Sequence, residues 1–94
     1  GKIKIKVLHT PGHSPGSVCY LMDKKLITGD TLFVGNIGRT DLPGGSPKIM
    51  SETLRRLKKL DENIEVWPGH DYGLRKSSTI GREKKQNPHM AMLE

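Results

Sequence analysis

Between Lys2 and Leu8 lysine alternates with β-branched residues, setting Ile3, Ile5 and Val7 on one face of an extended segment and Lys2, Lys4 and Lys6 on the other. A period of two predicts a strand with one buried face. This strand begins at the second residue, so the chain opens inside an element. Two further strand-like runs, Ser17 to Met22 and Lys25 to Thr28, are separated only by Asp23-Lys24, which predicts a tight antiparallel hairpin. His9-Thr10-Pro11-Gly12-His13-Ser14-Pro15-Gly16 lies before them, and its prolines and glycines exclude a helix. His9 and His13 therefore form no helical metal-binding pair.

After Pro47 the period changes. Ile49, Met50, Leu54, Leu57 and Leu60 recur at helical spacing, with Ser46 as N-cap and Pro47 in the first turn. Arg55, Arg56, Lys58 and Lys59 suit the negative end of the helix dipole. The helix is expected to stop near Asp61-Glu62-Asn63, and Ile64 to Trp67 reads as a short strand broken by Pro68-Gly69. Ser77, Ser78 or Thr79 can cap a second helix through about Gln86, ended by Asn87-Pro88. Residues 29–47 remain a long glycine-punctuated loop whose Leu32, Phe33, Val34 and Ile37 argue against disorder and for a functional role. The order of elements predicts a mixed α/β (α+β) fold, a mostly antiparallel sheet with two helices on one face.

Ninety-four residues, 33% of them hydrophobic, make one domain with a modest core. The net charge of +6 would suit a polyanion, but much of it belongs to basic helix faces, which are ordinarily solvated. Cys19 is the only cysteine, so no internal disulfide forms, and a reducing, cytoplasmic location is expected. The longest apolar run, Val18 to Met22, falls far short of the roughly 20 residues that span a bilayer. We expect no membrane partner, anchor or targeting segment.

The candidate chemistry lies in three residues, each just past a predicted strand and beside glycine: His13, Asp30 and His70. Glycine lets the backbone curl tightly around His13, and the flanking prolines stiffen its loop. A carboxylate has two oxygens and can bridge two cations, which gives Asp30 a reading beyond that of a turn residue. Imidazole and carboxylate delivered from successive strand ends to one sheet edge suit a metal-dependent hydrolase.

The series HTPGHSPGS, TGDTLF, GRTD and PGHDYG resembles the metallo-β-lactamase-fold hydrolases, and most closely the glyoxalase II-like group of hydroxyacylglutathione hydrolases. That resemblance implies an αββα sandwich holding two metal ions, zinc foremost, with iron or manganese as alternatives. It makes His13 the last histidine of the first metal site, Asp30 the bridging carboxylate and His70 a ligand of the second. Arg39 falls where relatives face the glutathione part of the substrate, and Asp71 stands close enough to His70 to hold its second nitrogen. The implied reaction is cleavage of a thioester, such as a hydroxyacylglutathione, by metal-bound hydroxide. His9 and His89 have no part in this pattern and are read as structural.

One family motif is missing. No His-x-His-x-Asp-His cluster occurs, and the chain holds four histidines in all. Each metal site is left with two ligands, where a catalytic zinc ordinarily keeps three from the protein. Residues 1–94 are thus expected to form a single partial domain, the C-terminal half of the fold, with little turnover alone. Such a half exposes its inner apolar face, including some of Ile3, Ile5, Val7, Val18, Tyr20 and Ile27, and calls for a cover. Self-association or an N-terminal half of the same fold would supply one. Three alternatives to the thioesterase reading are a nucleic-acid-processing relative, a persulfide dioxygenase-like enzyme that binds one iron, and a non-catalytic assembly module. Four scattered aromatics, Tyr20, Phe33, Trp67 and Tyr72, provide no stacking series for nucleic acid, which is not an expected partner.

Overall fold

The computed structural model describes residues 4–69 and 77–93. Its elements are β1 (Ile5–His9), β2 (Val18–Met22), β3 (Lys25–Gly29), β4 (Leu32–Phe33), β5 (Asn36–Ile37), α1 (Pro47–Lys58), β6 (Glu65–Pro68), β7 (Ser78–Thr79), α2 (Ile80–Gln86) and α3 (Pro88–Ala91). One sheet runs β1-β2-β3-β6-β7, and β4 and β5 form a separate hairpin. β1, β2 and β3 follow one another antiparallel, while β6 lies parallel to β3. The parallel pair arises because α1 carries the chain back across the sheet before β6 begins, as a parallel connection requires.

The register sorts the side chains into two faces. Lys6, Leu21, Leu26 and Val66 form one row across the strands, with Leu8 and Cys19 beside it. The helices cover this face. Met50, Leu54 and Leu57 of α1, Ile80 of α2 and Met90 of α3 join Cys19, Leu26 and Val66 in the core. Val7, Tyr20, Ile27 and Trp67 make the corresponding row on the other face. These four remain 58%, 42%, 38% and 38% exposed, and Ile5 is 58% exposed. The alternation in β1 is as the sequence predicts, but its apolar side is the uncovered one. Lys25 sits above the Trp67 ring at 5.7 Å, a cation resting on the exposed π face.

α1 starts as expected. The Ser46 hydroxyl accepts the Ile49 N–H at 3.2 Å, and Pro47 is the first helical residue. Four short elements, β4, β5, β7 and α3, depart from the sequence reading. The predicted loop over residues 29–47 contains the β4-β5 hairpin, turned at Gly35 with φ of 77°, a left-handed conformation that favours glycine. Ser78 and Thr79 pair with Val66 and Glu65 as β7 before Thr79 caps α2. Asn87-Pro88 does end α2, but Asn87 then caps a third helical turn, its Oδ1 accepting the His89 N–H at 3.0 Å. Two expected helices thus become three among the described residues. Among the described residues no helix is long and apolar enough to cross a membrane.

Candidate metal centre

His13 lies in the loop between β1 and β2, which α1 pins from behind. Thr53 donates to the Pro11 carbonyl at 2.7 Å, and the Ser46 N–H donates to the Gly12 carbonyl at 2.8 Å. Gly12 is buried against α1 with φ of 141°, and a Cβ there would come within 2.6 Å of the Met50 Cα. Only glycine permits this approach, so contact with α1 adds to the loop's own bonds, among them the Thr10 N–H on the Ser17 carbonyl at 2.8 Å.

Asp30 follows β3 directly. The β3-β6 register slips between Ile27 and Gly29, a bulge that redirects the chain just before the aspartate. Beneath it, the Thr10 hydroxyl lies 3.2 Å from the Thr31 hydroxyl and 3.4 Å from the Cys19 sulfur. This buried contact joins the end of β1 to the residue after Asp30. Burial raises the Cys19 thiol above its ordinary value, against weaker lowering by the Thr10 and Thr31 hydroxyls, so Cys19 is a packing residue and not a nucleophile.

Gly38 closes the site. A Cβ at this position would fall 1.7 Å from the Asp30 carbonyl oxygen and 3.2 Å from His13 Nδ1. Lying this close, the chain presents the Arg39 carbonyl to His13 Nδ1 at 2.8 Å. A carbonyl only accepts, so Nδ1 carries the proton and Nε2 of the neutral ring keeps its lone pair. Nε2 faces Asp30, 3.9 Å from its Oδ2. Two ligands each about 2.0–2.2 Å from one tetrahedral zinc ion lie about 3.3–3.6 Å apart, so this imidazole and carboxylate are within a few tenths of an ångström of sharing a cation.

The structure therefore brings together His13 and Asp30 and adds the Arg39 carbonyl, a group no side-chain motif reveals. The Arg39 guanidinium turns outward onto Asp41, with Nε–Oδ1 of 3.0 Å and Nη2–Oδ2 of 2.9 Å. This fork raises the Arg39 pKa and holds the Asp41 carboxyl below its ordinary value, although both side chains are two-thirds exposed. His70 and Asp71 lie outside the described residues. The Gly69 N–H donates to the Gly29 carbonyl at 2.9 Å, which brings the end of β6 beside the residue preceding Asp30. Among the described residues no group of three or more His, Cys, Asp or Glu could hold a metal ion. His9 has a structural partner instead, Nε2 lying 2.7 Å from the Pro15 carbonyl. A broad depression of about 650 Å³ near Met22, Asp23, Lys24, Lys25 and Glu65 lies at the opposite strand ends, away from this chemistry.

Residues 1–70 match the metallo-beta-lactamase superfamily. The hydroxyacylglutathione hydrolase GloC of Haemophilus influenzae is 39% identical over 88 residues, covering 90% of this chain and 40% of its own length. Among solved structures, ETHE1 from Myxococcus xanthus superposes with a TM-score of 0.91 at 40% identity, over 97% of this chain and 41% of that one. TTHA1623, in a di-iron-bound form, gives a TM-score of 0.82 at 42% identity, over 89% of this chain and 41% of its own. The chain spans less than half the length of each of these relatives.

Proposed function

The chain belongs to the metallo-beta-lactamase superfamily, and from that premise we propose that it forms the C-terminal part of a metal-dependent thioester hydrolase of the glyoxalase II type. The observation carrying this reading is the His13–Asp30 pair, with Nε2 set free by the bond from Nδ1 to the Arg39 carbonyl and 3.9 Å from Oδ2. In this proposal His13 and Asp30 hold one ion, while Asp30 and His70 share a second. Asp71 orients His70, and the Arg39 guanidinium exchanges Asp41 for a carboxylate of a glutathione-like thioester. Bound zinc would supply an acidified water and withdraw electrons from the thioester carbonyl. The residues present position that chemistry: the Arg39 carbonyl fixes the imidazole, and Gly38 keeps the loop against Asp30. The GloC likeness supports the substrate class.

The bare sheet face supports the proposed partner. An N-terminal half of the same fold, or a second copy, would cover Val7, Tyr20, Ile27 and Trp67 and bring further ligands to the edge. We propose a cytoplasmic location, with the unpaired buried Cys19 as support. A second reading places iron where the first places zinc, favoured by the di-iron-bound relative.

Zinc and iron(II) titrations of the wild-type chain, Asp30→Ala and His13→Ala test the centre, with molecular mass recorded on each sample. Each substitution is expected to weaken the preferred ion at least about 10-fold. Unchanged affinity in both variants would remove the centre, and the preferred ion chooses between the two readings.

A further inference from the structure

Behind the metal edge lies a polar cluster that the proposed chemistry does not use. Glu83 of α2 is 1% exposed and Asn87 is 0% exposed. Three neutral donors converge on the Glu83 carboxyl group. The Gly35 N–H reaches Oε1 at 2.9 Å, Asn87 Nδ2 reaches Oε1 at 3.0 Å, and the Ser78 hydroxyl reaches Oε2 at 2.6 Å. Asn87 Nδ2 also donates to the Asn36 carbonyl at 3.0 Å and the Phe33 carbonyl at 3.4 Å. Every hairpin group in this set belongs to β4-β5 or its turn.

That hairpin is the whole of the chain between Thr31 and Gly38. Its N-terminal end is held by the Thr28 hydroxyl on the Leu32 carbonyl at 2.6 Å, and its exit by the Gly38 N–H on the Thr31 carbonyl at 3.1 Å. Gly38 in turn lies against Asp30, and the next carbonyl receives the His13 Nδ1 proton. A rotation of the hairpin would carry Gly38 off Asp30 and the Arg39 carbonyl off the imidazole. Two-residue strands cannot resist such a rotation alone. Burial of Leu32 and Phe33 and the bonds at the two ends anchor the hairpin's base, and Glu83 and Asn87 add the restraint on its turn and second strand.

We propose that Glu83, with Asn87, is a positioning residue of the metal centre: it clamps the β4-β5 hairpin so that the Arg39 carbonyl holds His13 in the tautomer that leaves Nε2 open. The link to metal rests on the functional reading above, whereas the link to the His13 tautomer does not. The two are separable because the tautomer is read without metal.

The test is a long-range proton–nitrogen NMR spectrum of the histidines in the 15N-labelled, metal-free chain, followed by zinc titration of the same samples. Wild type is expected to show His13 as a single Nδ1–H tautomer. In Glu83→Ala that signal should give way to a mixture with the Nε2–H form, and zinc affinity should fall about 10-fold or more. Glu83→Gln keeps an oxygen for Gly35 and Asn87 and can donate to the Ser78 oxygen, so it should retain the wild-type tautomer. Reduced stability in Glu83→Ala with an unaltered tautomer would overturn the proposal, leaving Glu83 a structural residue only. Should Glu83→Ala fail to fold, Glu83→Asp and Ser78→Ala take its place, and an unaltered tautomer in both overturns it equally. A shifted tautomer in Glu83→Ala with zinc affinity unaltered would overturn the link to metal and leave the clamp on the tautomer standing.

Discussion

The two faces of the sheet are made by the same strands and have opposite fates. Leu26 and Val66, on the helix side, are fully buried, while their chain neighbours Ile27 and Trp67 are each 38% exposed on the other side. A sheet with one solvated face ordinarily alternates apolar and polar residues. Here Cys19, Tyr20, Leu21 and Met22 run apolar through both faces of β2, and Leu26-Ile27 does so in β3. Strands of this kind belong inside a layered structure, and the helices supply only one of the layers. The comparison teaches that sequence pattern reports the environment a strand is built for, which here exceeds what the chain itself provides.

The sharpest way to break this contrast is a pair of adjacent truncations. Leu26→Ala opens a cavity in the core and is expected to cost about 2–5 kcal/mol, whereas Ile27→Ala should cost under about 1 kcal/mol in the chain alone. Urea unfolding of both would reveal the asymmetry, and equal losses would refute it. A smaller effect is expected from Tyr20→Lys combined with Trp67→Lys, which should reduce binding of an environment-sensitive apolar dye and any association seen by sedimentation. Unaltered dye binding would mean that the exposed row is not a continuous apolar patch. The smallest effect concerns Cys19, on the covered face. Its folded pKa is raised by burial above the ordinary 9.0, so the unfolded thiol ionises first and stability should decline as pH rises past that value. Cys19→Ala should flatten that part of the alkaline decline, as followed by urea midpoints between pH 7.5 and 10.5.

What could be read in advance follows from where the information resides. The Ser46-Pro47 start of α1 was legible because capping is local chemistry, and the Asp23-Lys24 hairpin because two strand-like runs flank it. His13 and Asp30 stood out through their glycine neighbours and positions at strand ends. The β4-β5 hairpin and β7 were hidden because two residues carry no period. α3 was hidden because Asn87-Pro88 both stops one helix and starts the next. Arg39 attracted notice for its guanidinium, yet the group that touches His13 is its backbone carbonyl, an atom that any residue at that position would offer. Glu83 lies in GREKKQ, which has the look of a solvated face, and only the folded chain reveals that its carboxyl group is enclosed.

The parallel pairing of β6 with β3 also sets an order in time. β1, β2 and β3 meet through short connections, and such hairpins form in about 1–10 μs. Lys25 and Glu65, by contrast, are partners separated by forty positions (65 − 25) and joined through α1. Closing that span is entropically dearer and slower than closing a turn. The Gly69–Gly29 bond is therefore expected to form after the hairpins. A chain emerging from synthesis would pair β1, β2 and β3 before α1 arrived to seat the His13 loop from behind, and β6 would complete the edge beside Asp30 last.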